Sequence, residues 1–208
     1  YSAEIFRSAF DKVDKKFIEA ANSLGMTKYN IFLKIILPIG LKQSIRDEAL
    51  RRLDYASWEE SFIGTGKILK AFIQSIEIKG NNLLQWQGRY GVERKVHYSF
   101  ILALENKDYH IEKLLFDFFH NRIEDELAFY EFIKFFGRKF SLLAYMFYVK
   151  NERKYLPIAT AYFDSIFERL EIPVRTTRKA SWQVYTNYLK AIGLVKILLE
   201  EKLNSEVK

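Results

Sequence analysis

Residues 109–149 read YHIEKLLFDFFHNRIEDELAFYEFIKFFGRKFSLLAYMFYV, and this stretch decides the fold class. Three segments within it, Tyr109 to Phe119, Glu124 to Phe136 and Leu142 to Val149, carry Phe, Leu and Tyr at helical spacing. Their apolar faces are wide, as the middle of a helical bundle requires. Between Phe140 and Val149 only Ser141 is polar. A membrane span takes about 20 apolar residues, so this shorter run suits a buried helix better than a bilayer.

Working outward, Trp58 to Glu77 and Arg94 to Glu105 read as helices on the N-terminal side, separated by the polar, glycine-bearing KGNNLLQWQGRYGVERK. On the C-terminal side come a charged turn, Asn151 to Leu156, then helices over Thr160 to Leu170 and Trp182 to Leu203. Upstream, SIRDEALRRLDY gives a charged connecting helix that ends at Tyr55. The first helix runs from Ala3 to Leu24, with Ile5, Phe6, Ala9, Phe10, Val13, Phe17 and Ala20 on one face; Gly25 ends it. Thr27 caps a second helix through Ile36, and Pro38 to Gly40 closes the hairpin. The expected architecture is all-α: an N-terminal helical hairpin (residues 1–44), a connecting helix (45–57) and a basic multi-helix bundle (58–208).

Composition agrees. The chain has 208 residues, 49% hydrophobic and 16% aromatic, enough for one core plus a small appendage, and too apolar for disorder. Nine Gly and three Pro are too few for a β-rich protein with many tight turns. Without cysteine there is neither a disulfide framework nor a thiolate metal site, which is compatible with the cytoplasm. A net charge of +7 points to an acidic partner, either nucleic acid, anionic lipid or an acidic protein surface, although 28% charged residues of both signs also make an ordinary solvated surface. No basic start with an apolar centre follows Tyr1, so no secretory leader is expected, and opening on Tyr instead of Met reads as a trimmed N-terminus.

Residues Glu19 to Pro38 read EAANSLGMTKYNIFLKIILP. Glu-Ala-Ala, a Gly after three further residues and the downstream Ile-x-Leu-Pro resemble the EAA loop of bacterial ABC importer permeases. YSAEIFRSAFDKVDKKF before it resembles the approach to that loop in permeases for polar amino acids. The resemblance covers about residues 1 to 43. The chain departs from the pattern at Asp14-Lys15-Lys16, where Pro-Lys-Gly is usual, and at Ile39-Gly40, where Gln-Ala is usual. It implies an ABC ATPase subunit as partner and a location at the cytoplasmic face of the inner membrane. Glu19, Ala20, Ala21 and Gly25 would form the docking turn, the alanines allowing close approach and the glycine a tight reversal. With no membrane span expected, the chain itself forms no translocation path. A second, looser resemblance covers Trp58 to Leu203, through NNLLQWQGRYG, LLAYMFYVKNERKYLPIATAYFDSIFERLEI and SWQVYTNYL. These runs resemble an accessory helical domain of bacterial proteins associated with HNH nucleases, which implies a recognition or scaffolding role.

Candidate binding residues fall in three basic clusters. Lys79, Arg89, Arg94 and Lys95 surround Trp86 and Tyr90, with Gly80, Gly88 and Gly91 between them. Cations for phosphates and aromatic faces for bases are what single-stranded DNA or RNA needs. The same residues also suit a structural loop whose rings plug the core edge and whose Asn81 and Asn82 cap helices. Arg175, Arg178 and Lys179, beside Thr176, Thr177 and Ser181, precede the last helix, where a phosphate would find donors; ordinary capping explains Ser181 equally. Lys150, Arg153 and Lys154 form the third cluster, in what reads as a solvated turn. Enzymatic readings find little. His97, His110 and His120 lack helical metal-ligand spacing, and Asp117, Glu124, Asp125 and Glu126 read as helix-start charges. Gly64-Thr65-Gly66-Lys67 lacks the full phosphate-loop spacing and reads as a helix break. No catalytic residue, metal ligand or cofactor is expected.

Overall fold

A computed structural model describes residues 37–87, 91–158, 164, 167–168, 171–177 and 180–193. They are all-α: α1 (Leu37–Leu53), α2 (Lys67–Ile76), α3 (Tyr98–Glu105), α4 (Tyr109–Phe119), α5 (Asp125–Phe136), α6 (Phe140–Lys150) and α7 over residues 182–193. No strand occurs among the described residues. The chain divides into two compact units, one of Glu48–Ile192, the other of Tyr1–Asp47 with Gly193–Lys208. The expected hairpin helices, Ala3 to Leu24 and Thr27 to Ile36, lie outside the described residues.

Three boundaries differ from the sequence reading; the helix expected from Arg94 begins only at Tyr98, after a 3-10 turn at Val92–Arg94. Pro38 to Gly40, expected to close a hairpin, lies in the first turn of α1. A proline there gives up no hydrogen bond, because first-turn N–H groups have no intrahelical acceptor. The stretch from Trp58 to Glu77 is not one helix. Short 3-10 turns at Tyr55–Ser57 and Glu60–Phe62 come first, and α2 begins only at Lys67. Gly64 and Gly66 separate them at φ 83° and 85°, a left-handed conformation that interrupts a helix and that residues with a β-carbon adopt at a cost. The Gly-Thr-Gly-Lys stretch is thus a helix break, as its composition indicates.

Inside the Glu48–Ile192 unit, α6 is the axis. Residues 142 to 149 are all buried. Phe147 meets Phe118 of α4 at 4.9 Å between ring centroids, Phe129 of α5 at 5.9 Å and Trp182 of α7 at 5.6 Å. On the α2 side, the Tyr145 hydroxyl donates to the Ser75 carbonyl at 2.6 Å, which satisfies a fully buried phenol. Tyr185 and Tyr188 of α7 donate to the carbonyls of Leu156 and Pro157 at 2.8 and 2.9 Å, fastening the irregular segment after α6. The all-round apolar character of FSLLAYMFYV therefore reflects burial on every side.

Candidate functional site

The segment after α2 is organised by one carboxylate. Glu77 follows directly on the helix, and its Oε1 accepts from Lys95 Nζ at 2.5 Å and from His97 Nε2 at 3.0 Å. One side chain therefore closes loops of 18 and 20 residues. Within the loop, Asn81 donates to the Ile76 carbonyl at 3.0 Å and accepts from the N–H groups of Leu83 and Leu84 at 3.0 and 3.1 Å, the behaviour of an Asx turn at a helix end. Trp86 Nε1 donates to the Ile78 carbonyl at 3.0 Å, and Lys95 Nζ lies 5.3 Å from the centroid of its ring. Burial pushes the Glu77 carboxyl up, but hydrogen bonds from Lys95 and His97 outweigh it and hold the group below its usual value.

His97 is fully buried, and its Nδ1 has no hydrogen-bond partner. Burial disfavours its charged form; Glu77 opposes that, Lys95 and Lys139 reinforce it, and the ring titrates below the ordinary histidine value of 6.5. An ionised Glu77 only accepts, so the proton of the neutral ring is placed on Nε2 and Nδ1 carries a bare lone pair.

Of the first basic cluster, Lys79 and Arg94 are exposed, whereas Lys95 and Trp86 are half-buried and committed to the loop itself. Arg89 and Tyr90 lie outside the described residues. In the second cluster Arg175 is exposed, and Arg178 and Lys179 lie outside the described residues. The donors expected to meet a phosphate there meet the Asp164 carboxylate instead: Thr176 N–H and hydroxyl at 2.6 and 2.7 Å, and Thr177 N–H at 2.9 Å. Ser181 Oγ accepts from Val184 N–H at 3.2 Å, an ordinary helix cap.

The third cluster is not simply a solvated turn. Lys150 and Lys154 both donate to Asp125, at 2.7 Å each, and the Tyr155 hydroxyl donates to the same carboxylate. The Lys150 side chain is only 6% exposed and lies 4.4 Å from the Phe118 ring centroid. Burial would push Asp125 up, but these three donors hold it down to about 2. Arg153 stays exposed.

Sequence reading missed Glu112. It is fully buried on α4, where its two oxygens accept from the N–H groups of Gly66 and Leu69, each at 3.0 Å. The phosphate-loop-like Gly-Thr-Gly-Lys turn therefore wraps a carboxylate of its own chain at the head of α2, where orphan N–H groups and the helix dipole favour an anion. The signal available was a lone Glu on the apolar face between Ile111 and Leu115.

Glu19, Ala20, Ala21 and Gly25 lie outside the described residues. Among the described residues no helix is long and apolar enough to cross a membrane.

No family model matches the chain, and no solved structure matches it. These comparisons give no support to the HNH-associated likeness of Trp58 to Leu203. A stretch of 45 residues, 22% of the chain, is 47% identical to the "Probable amino-acid permease protein YxeN" of Bacillus subtilis (strain 168). The chain spans 20% of that protein's length. It thus contains a permease-like segment.

Proposed function

We propose that the chain joins two non-enzymatic parts. The first, residues 1 to 43, is a coupling segment that docks on the ATP-hydrolysing subunit of an amino-acid importer, at the cytoplasmic face of the membrane. The second is a basic helical unit that recognises a partner. The observation that carries the docking role is 47% identity over 45 residues with a probable amino-acid permease. That match is about as long as the segment bearing the Glu-Ala-Ala turn, and the turn has suitable chemistry. Glu19 supplies a charge, Ala20 and Ala21 let backbones approach, and Gly25 permits the reversal.

The test is a titration of the intact chain against the purified ATPase subunit of a polar amino-acid importer. Glu19→Lys reverses the contact charge and is expected to weaken binding at least tenfold, about 1.4 kcal/mol. Equal affinity of the two chains refutes docking through this turn.

For the basic unit, a nucleic-acid reading, as an accessory domain of a nuclease or defence protein, is favoured by the exposure of Lys79, Arg94 and Arg175. It predicts a gel shift with single-stranded or duplex DNA that weakens steeply with salt and is untouched by Glu19→Lys.

A further inference from the structure

We infer that the surface where the heads of α3 and α6 meet binds the phosphodiester backbone of nucleic acid, with Lys139 as its anchoring cation. The inference rests on the nucleic-acid reading of the basic unit and assigns the surface through which that unit would act.

Packing brings the cations together. Phe100, in the first turn of α3, meets Phe135 and Phe136 at the end of α5, with ring centroids 5.1 and 5.5 Å apart. Gly137, Arg138 and Lys139 follow those rings directly and lead into α6. His97, the cap of α3, lies close enough to Lys139 for that charge to act on its ring. Lys95 and His97 also share Glu77 Oε1 at 2.5 and 3.0 Å, which brings the end of α2, and Lys79 just beyond it, to the same part of the unit. Within the segments that meet here, 77–79, 92–97 and 137–139, five cations (Lys79, Arg94, Lys95, Arg138 and Lys139) stand against the two carboxylates of Glu77 and Glu93. Lys79, Arg94 and Arg138 are exposed and pair with no carboxylate among the described residues. The other two basic clusters are answered from within the chain: Asp125 takes Lys150 and Lys154, and Asp164 takes the donors beside Arg175.

Lys139 is the anchor because it is the cation with most to gain. It is half-buried at the head of α6, no carboxylate or other acceptor meets its ammonium among the described residues, and burial pushes that group below the ordinary lysine value. An ammonium that has lost water without gaining a partner is destabilised in the free protein. A phosphate oxygen supplies the missing acceptor. Individual phosphates of a strand can reach a half-buried ammonium, whereas the plane of a lipid surface meets the exposed Arg94 and Arg138 first. Base stacking is not on offer, since Trp86 spends Nε1 on the Ile78 carbonyl and Lys95 Nζ lies 5.3 Å from its ring centroid. Contacts to the backbone alone carry no base information, so affinity is expected to be indifferent to sequence.

Fluorescence anisotropy of a labelled single-stranded oligonucleotide, titrated with the intact chain over a series of salt concentrations, tests this. The chain is expected to bind oligonucleotides of different sequence alike and to lose affinity steeply with salt. Lys139→Met should weaken binding by at least about tenfold and lower the salt slope by about one. The same variant should leave the midpoint of urea unfolding unchanged or raised, because it removes a desolvated, unpaired charge. Arg94→Gln combined with Arg138→Gln should lower the slope by about two. Lys113→Gln, which removes a charge on α4 that Asp117 already matches, should leave binding as it was. Affinity and slope unchanged in both Lys139→Met and the double variant, while the unmodified chain binds, overturn this surface and leave the nucleic-acid reading standing. Loss of binding in Lys139→Met together with a lowered urea midpoint overturns the anchor, since a merely structural lysine behaves that way. No binding of the unmodified chain to any oligonucleotide, whether or not it floats with phosphatidylserine vesicles, refutes the nucleic-acid reading itself.

Discussion

Asp125 answers to two lysines and a tyrosine at once, and the consequence differs for each. Lys150 is buried against Phe118, so its ammonium has lost water and depends on the carboxylate. Lys154 is 58% exposed and needs it little. Asp125→Ala strands a buried cation and is expected to cost about 3–5 kcal/mol in urea unfolding. Lys150→Met should cost clearly less, because it removes the buried charge while Asp125 keeps Lys154 and Tyr155. A larger loss in Lys150→Met than in Asp125→Ala contradicts this assignment.

The pH dependence of the same group follows from its depressed value. Unfolded, Asp125 titrates near its ordinary 3.8; folded, it is held at about 2. Its contribution is complete above the unfolded value and drains away as pH falls from there towards 2, a total of about 2 kcal/mol. Unfolding free energies measured between pH 5 and pH 2 should show that loss, and Asp125→Asn should show a shallower acid limb by that amount. None of this could be read along the chain. Lys150 and Lys154 announce themselves as a basic cluster, but their partner lies 25 and 29 residues away, and only tertiary folding reveals it. The same holds for Glu77 with His97, and for Asp164 with Thr176.

At the scale of elements, the helices that read most plainly in sequence are those whose burial is one-sided or total. α4, α5 and α6 appear within a few residues of their expected limits, because Phe, Leu and Tyr mark the faces turned to the core. The α1 and α2 boundaries read less well for a local reason: a proline in a first turn and glycines in left-handed conformations look alike in sequence as breaks, yet only the glycines interrupt a helix here. The α2 start also depends on a remote residue. Glu112→Gln replaces one accepting oxygen with an amide donor facing an N–H of the α2 head. It should cost about 1–3 kcal/mol, measured by thermal or urea unfolding. Gly66→Ala acts on the other side of the same contact. Its β-carbon would sit 3.1 Å from Leu104 Cδ1 at φ 85°, and a loss of about 1–2 kcal/mol is expected. Stability unchanged in both variants would mean that the buried carboxylate does not hold the head of α2.

At the scale of the molecule, the chain carries a permease-like segment and a basic helical unit built around a buried helix. Of the candidate basic residues, Lys79, Arg94, Arg153 and Arg175 are exposed, Lys95 and Lys150 are held by Glu77 and Asp125, and Lys154 is both exposed and paired with Asp125. Each held lysine is matched by a carboxylate that the net charge already subtracts, so the excess of +7 is carried by other residues. The most direct test of the docking role uses the absence of cysteine, because a single introduced thiol is then unique. Ala21→Cys, carrying a short thiol-directed cross-linker, should join covalently to the ATPase subunit of a polar amino-acid importer, and Lys190→Cys, on the exposed face of α7, should not. Cross-linking from both positions to the same extent, or from Lys190→Cys alone, would contradict the account.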